Sequence, residues 1–243
     1  MYRLLGVLAF VIVITATGLL GAGCGASHNT AQLRVVQAIP NAPDSLNVSV
    51  NGKNAFTDLS FGNAAPVSGY QSTSAGSDQL AVSLTGSTTP LINGKTLSLA
   101  STSQSTLLLT GLYASATEIT ILDNNTAPLP GQVELRVIDA SPSAPGSLDV
   151  YMAAPGTDIT QLAPVTSGLQ FGQASIYVPF NTVSSTDLAR IMVIVTPAGS
   201  KTQLLNQIYT PYDGQIRSLV LVDNPPPNGG TMSYVPIELN DLN

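Results

Sequence analysis

One stretch of the chain occurs twice without a gap, and a chain that repeats itself at this distance is expected to fold as two similar units. Residues 33–48, Leu-Arg-Val-Val-Gln-Ala-Ile-Pro-Asn-Ala-Pro-Asp-Ser-Leu-Asn-Val, line up with residues 135–150, Leu-Arg-Val-Ile-Asp-Ala-Ser-Pro-Ser-Ala-Pro-Gly-Ser-Leu-Asp-Val. Two shorter blocks follow. Leu-Ser-Phe-Gly-Asn-Ala at 59–64 matches Leu-Gln-Phe-Gly-Gln-Ala at 169–174, and Ile-Leu-Asp-Asn at 121–124 matches Leu-Val-Asp-Asn at 221–224. The spacing between blocks differs in the two copies, as insertions in surface loops would make it.

Inside the blocks every second residue is apolar, the period of a strand with one buried face. Leu33, Val35, Leu46, Val48, Val50, Leu80, Val82 and Leu84 should point inward in copy one. In copy two Leu135, Val137, Leu148, Val150, Met152, Ile191, Val193 and Val195 should do the same. Gly (21) and Pro (17) punctuate these short runs and no convincing helix separates them, so the expected class is all-β. Two tandem immunoglobulin-like antiparallel β-sandwich domains fit this pattern, each burying its own core; a small barrel is the other arrangement that the periodicity allows. The expected organisation is a signal peptide at 1–23, a modified Cys24 with a tether to residue 30, a first sandwich at 31–123, a Pro-bearing linker at 124–131 and a second sandwich at 132–243. Pro236 makes the last strand an edge strand.

The N-terminus sets the expected location. Arg3 is followed by an apolar stretch over residues 4–20 and then Gly21, Ala22, Gly23 and the single cysteine, Cys24, the outline of a secretory signal. Leu20-Gly21-Ala22-Gly23-Cys24 resembles the bacterial lipobox, although Leu stands one place earlier than usual, and that resemblance implies a diacylated Cys24 as the mature N-terminus. Two acyl chains hold a protein at a membrane where one would not. Gly25 after the cysteine, by resemblance to enteric lipoproteins, would permit passage to an outer membrane. An uncleaved membrane helix is the alternative, since the apolar stretch is only slightly shorter than a span.

The repeated pattern Leu-Arg-Val-x-x-Ala-x-Pro-x-Ala-Pro-x-x-Leu-Asp/Asn-Val, followed by Phe-Gly and closed by a strand ending in Asp-Asn, resembles the bacterial family called domain of unknown function 4397. Asn47 departs from the Asp usual at that position. The resemblance implies exported envelope proteins with a β-sandwich fold, often in tandem copies, and no assigned activity.

Catalytic chemistry finds little support. The only histidine, His28, falls in the tether, where no scaffold holds a base, and without His or further Cys a folded zinc site is disfavoured. No phosphate loop or EF-hand run occurs, and a net charge of −6 excludes nucleic acid as a partner. Asp123 and Asp223, at matched strand ends, are expected to cap turns, with a calcium site as the alternative. Tyr177, Phe180, Tyr209 and Tyr212 are expected to pack in the sheets; gathered round a groove they would instead mark a glycan platform. Arg136 and Asp149 are expected to pair across the solvent face of a hairpin, with Arg34 and Asn47 in the same places in copy one. The expected function is a lipid-anchored, non-enzymatic interaction or spacer protein of the cell envelope, without cofactor. Its partners would be the membrane and an envelope protein or glycan; a small-ligand module and a carboxylate hydrolase are the alternatives.

Overall fold

The computed structural model describes residues 29–67, 69–183, 187–224 and 232–242. Cys24, His28 and the apolar N-terminal stretch lie outside the described residues. Alternating apolar runs become strands throughout. In the first unit one sheet holds β1 (Thr30–Gln37), β4 (Ala64–Ala65), β5 (Gln71–Ser74), β8 (Gln104–Thr110) and β9 (Thr117–Asp123). The facing sheet holds β2 (Leu46–Val50), β3 (Lys53–Leu59), β6 (Gly76–Leu84) and β7 (Pro90–Leu99). In the second unit β10 (Gln132–Asp139), β13 (Val178–Asn181), β16 (Ile216–Asn224) and β17 (Ser233–Leu242) form one sheet. Its partner holds β11 (Leu148–Ala153), β12 (Thr166–Leu169), β14 (Ile191–Pro197) and β15 (Leu205–Tyr209). The two parallel-centred sheets correspond, β5-β1-β8-β9 with β13-β10-β16-β17, the Val36–Ala64 pairing of β4 recurring as the single bridge Ile138–Ala174, and β3-β2-β6-β7 corresponds to β12-β11-β14-β15.

All of the side chains expected inward sit in these two sandwich cores or pack against them. The Phe-Gly blocks form the same turn in both units: Gly62 N–H donates to Gln37 O and Gly172 N–H to Asp139 O. That turn requires φ near +80°, which glycine adopts without strain (Gly62 +81°, Gly172 +83°). β17, with Pro236, is an edge strand.

Three features depart from the sequence reading. β1 runs parallel to β8 and β10 parallel to β16, so the centre of one sheet in each unit is parallel within an otherwise antiparallel sandwich. Second, Ile-Leu-Asp-Asn at 121–124 and Leu-Val-Asp-Asn at 221–224 are not equivalent. The latter lies in β16, the counterpart of β8, and the strand that corresponds to β9 is β17. Third, β10 and β11 belong to different sheets, so residues 135–150 turn a corner between layers and form no hairpin.

A third apolar cluster joins the units. Val36, Ala38, Leu108 and Ile121, on the far faces of β1, β8 and β9, meet Ile138, Val220, Val222, Ile237 and Leu239 from β10, β16 and β17. The molecule is therefore a stack of four sheets, with the two parallel-centred sheets inside. Their central strands are covered on both faces, which is why 107–109 (Leu-Leu-Leu) and 219–222 (Leu-Val-Leu-Val) are unbroken apolar runs.

Candidate functional site

Polar residues on the shared faces have to be neutralised where they stand, because water is excluded there. Arg34 of β1 and Arg136 of β10 are each only 2% exposed. Each guanidinium reaches across the seam to an aspartate of the other unit. Arg34 Nη2 donates to Asp241 Oδ1 at 2.6 Å and Nη1 to the carbonyl of Asn240 at 2.8 Å. Arg136 Nη2 donates to Asp123 Oδ1, and Nη1 to the carbonyl of Leu122 at 3.0 Å.

Within its own unit each arginine is steadied by a hydroxyl on the neighbouring parallel strand. Arg34 Nε donates to Thr106 Oγ1 (3.1 Å) and Arg136 Nε to Ser218 Oγ (2.6 Å). Those hydroxyls donate onward, Thr106 to Asp123 Oδ2 at 2.6 Å and Ser218 to Asp241 Oδ2. Tyr70 and Tyr177 complete the symmetry. Tyr70 donates to Asp123 Oδ2 at 2.9 Å and Tyr177 to Asp241 Oδ2 at 3.0 Å, while their rings cover Arg34 at 4.8 Å and Arg136 at 4.4 Å. The result is two crossed ion pairs related by an approximate two-fold, the self-complementary pattern of an isologous interface placed inside one chain.

Electrostatics make this cluster a lock. Burial pushes the Asp123 carboxyl up, against the downward pull of Arg136. For Arg34 burial works downward, and Asp241, Tyr70 and Asp123 outweigh it to raise the guanidinium. Burial, with Asp123, raises the Tyr70 phenol, and burial with Asp241 raises that of Tyr177, so both remain proton donors to the carboxylates at neutral pH. The linker joins the cluster, Asn125 Nδ2 donating to the carbonyl of Asp241 at 2.7 Å.

Several expectations fall here. Arg136 is buried against Asp123, and Asp149 is not its partner: Asp149, 6% exposed, accepts the backbone N–H of Gly168 (3.0 Å) and of Gly199 (2.8 Å). Alternation did turn Arg136 away from its own sandwich core, but the face it reaches is the other unit's sheet. Asp149→Asn is therefore expected to cost about 1–3 kcal/mol, because one amide N–H would face an NH₂ donor in place of an oxygen; urea denaturation measures it. In copy one Asn47 Oδ1 fills a comparable role, accepting the N–H of Asp58 at 2.9 Å. Asp123 does not cap a turn; it is a member of the crossed ion pairs. Asp223 accepts the hydroxyls of Ser141 and, at 2.7 Å, Ser143. Among the described residues no group of three or more His, Cys, Asp or Glu stands close enough to hold a metal ion. The four aromatic residues occupy separate settings: Tyr177 on Arg136, Tyr209 in the second core with Phe180 packed against it, and Tyr212 58% exposed.

Where the seam reaches the surface a cleft of about 430 Å³ opens between the two units. Asp58, Asn63 and Val67 line one side, Glu238 and Asn240 of β17 the other, with Arg34 at its floor. At the second Phe-Gly turn, a β-carbon added to Gly172 would stand 3.6 Å from Ile119 Cδ1 of β9.

One family model matches residues 31–151 of the chain. The model is that of the Domain of unknown function (DUF4397), and the match covers the first sandwich and continues into β10 and β11. No curated protein matches the chain. The solved structures similar to the chain include the following two. One is described as alpha-glucan binding by a streptococcal virulence factor, with 10% identity, TM-score 0.26 and coverage of 78% of this chain and 92% of that one. The other concerns alpha-glucan recognition by family 41 carbohydrate-binding modules from streptococcal virulence factors, with 13% identity, TM-score 0.25 and the same coverage. At these TM-scores neither likeness bears on this chain's ligand.

Proposed function

We propose that the protein is an exported, lipid-anchored envelope protein whose second half is a further DUF4397 unit, and whose two units act together as one rigid, non-enzymatic interaction or spacer module. The crossed arginine–aspartate pairs carry this reading. They commit the most polar buried residues to fixing one unit on the other, with every guanidinium and carboxylate engaged in holding that geometry. Rigid tandem units suit holding a surface at a set distance from a membrane. The membrane attachment rests on the sequence: a lone cysteine directly after Gly21-Ala22-Gly23, behind an apolar stretch led by Arg3.

Metabolic labelling with an alkyne fatty acid, followed by mass spectrometry of the mature N-terminus, tests the anchor. A diacylated Cys24 is expected, and Cys24→Ser should move the protein from the membrane fraction to the soluble one. An unmodified chain still beginning at Met1 would overturn the anchor and favour a membrane helix.

One observation favours a glycan partner as the second reading. The seam cleft has the volume of a small-ligand site and offers amide and carboxylate groups from Asn63, Asn240, Asp58 and Glu238. Affinity electrophoresis on polysaccharide gels separates the readings: retardation of the wild type that is lost in Asn63→Leu would assign the cleft to a sugar.

A further inference from the structure

Among the described residues, and besides the crossed pairs and Asp149, the second unit buries two more carboxylates. Asp139, the last residue of β10, is 0% exposed and Asp223, near the end of β16, is 1% exposed. One oxygen of each is engaged. Asp139 Oδ1 accepts the Ser141 N–H at 3.0 Å, and Asp223 Oδ1 accepts the hydroxyls of Ser141 and Ser143. Both carboxylates thus pin the Pro-rich loop at 140–147 to the sandwich. The second oxygen of each, Asp139 Oδ2 and Asp223 Oδ2, is buried without a hydrogen-bond partner among the described residues.

Two ionised carboxylates with bare, buried oxygens are costly, and a single proton between them removes both faults at once. We propose that Asp139 and Asp223 share one proton in the folded protein, taken up from solvent, and that this proton latches the 140–147 loop. The carboxylic acid O–H of one residue donates to the free oxygen of the other. Loss of the proton returns it to water and leaves two like charges behind the loop.

The surroundings agree. Asp223 is the charged group that acts on Asp139; from the loop come the Ser141 and Ser143 hydroxyls, and from β17 the Tyr234 phenol, which donates to the carbonyl of Ser143 at 3.1 Å. The Phe-Gly turn contributes backbone, through Gln173 O and Gly172 N–H. Burial first, and Asp223 second, push the Asp139 carboxyl up to about 6, against the Ser141 N–H. Copy one carries no such pair. Gln37 stands where Asp139 does and satisfies itself on Ile39, accepting its N–H at 2.5 Å and donating to its carbonyl at 3.3 Å. The strand pairing places Gly111 where Asp223 is. Only the second unit's loop is expected to respond to pH.

Because the folded protein keeps a proton that the unfolded chain releases, the pair's contribution is whole below pH 3.8 and is lost as pH rises to about 6. That shift corresponds to about a hundredfold in the unfolding equilibrium constant. The test is denaturant unfolding of the mature chain across this range in EDTA, beside Asp139→Asn, whose amide N–H₂ replaces the shared proton at every pH. The ratio of the wild-type unfolding constant to that of the variant should rise about a hundredfold over the window. A ratio independent of pH would overturn the proposal. Millimolar Ca²⁺ at neutral pH that restored the lost stability would also overturn it, by showing that the pair holds a metal ion. Should Asp139→Asn not fold, carboxyl ¹³C NMR of the wild type decides. The Asp139 carboxyl should titrate near pH 6, and its titration in the ordinary carboxylate range would refute a shared proton.

Discussion

Asp123→Ala is expected to cost about 3–5 kcal/mol, the penalty for removing one partner of a buried ion pair. The change leaves Arg136 Nη2 without its carboxylate, frees the Thr106 and Tyr70 hydroxyls that end on Asp123 Oδ2, and strips Arg34 of a second anion at 3.6 Å. Urea denaturation of the mature chain measures the loss. The loss measures the stranded cation more than the worth of the pair, since buried ion pairs replaced whole by apolar groups of like volume are often neutral or stabilising. Arg136→Met with Asp123→Leu is accordingly expected to be milder than Asp123→Ala alone. If the double variant were the weaker protein, the cluster would contribute net stability instead of fixing a geometry.

Leu108→Ala is expected to cost about 2–5 kcal/mol, the range for a large-to-small change at a fully buried site. Leu108 is 0% exposed and belongs to the apolar cluster between the units, whereas its neighbours Leu107 and Leu109 belong to the first sandwich core. Position 108 would be solvent-facing if the first unit stood alone, so Leu108→Ala would then change stability by less than about 0.5 kcal/mol. The same substitution thus separates a shared layer from two independent sandwiches.

Much of the fold was legible because the signals are local. Alternation picked out the inward side chains of both cores, and the gapless block at 33–48 and 135–150 set the corresponding strands β1 and β10. The site was half legible. Alternation turned Arg34 and Arg136 out of their own cores, but a period of two says only that a residue leaves one face, not what covers the other. The unbroken run at 107–109 carried that missing information, since a strand flanked by water on one side has no use for Leu108.

Other parts could not be read locally. Asp241 and Tyr177 lie outside the matched blocks and meet Arg34 and Arg136 only through the folded stack, Asp241 being 207 residues from Arg34 along the chain. The pairing of Asp123 with Asp223 failed because two strands ending in Asp-Asn look alike in sequence, while the parallel partner that distinguishes β16 from β9 is a long-range choice. Asp139 gave no signal either. Its meaning depends on Asp223, two residues beyond its parallel partner Leu221, where copy one has Gln37 and Gly111.

The apolar layer and the crossed ion pairs predict that the two units move as a single rigid stack. Spin labels at Thr96→Cys on β7 and Gln207→Cys on β15, both exposed and on the two outermost sheets, report it directly in a chain whose only native cysteine is Cys24, replaced by serine for the purpose. Electron–electron double resonance should give one narrow distance distribution that broadens when Asp123→Ala and Asp241→Ala are combined. A broad distribution in the chain that keeps both aspartates would mean that the units move independently and would contradict the rigid stack.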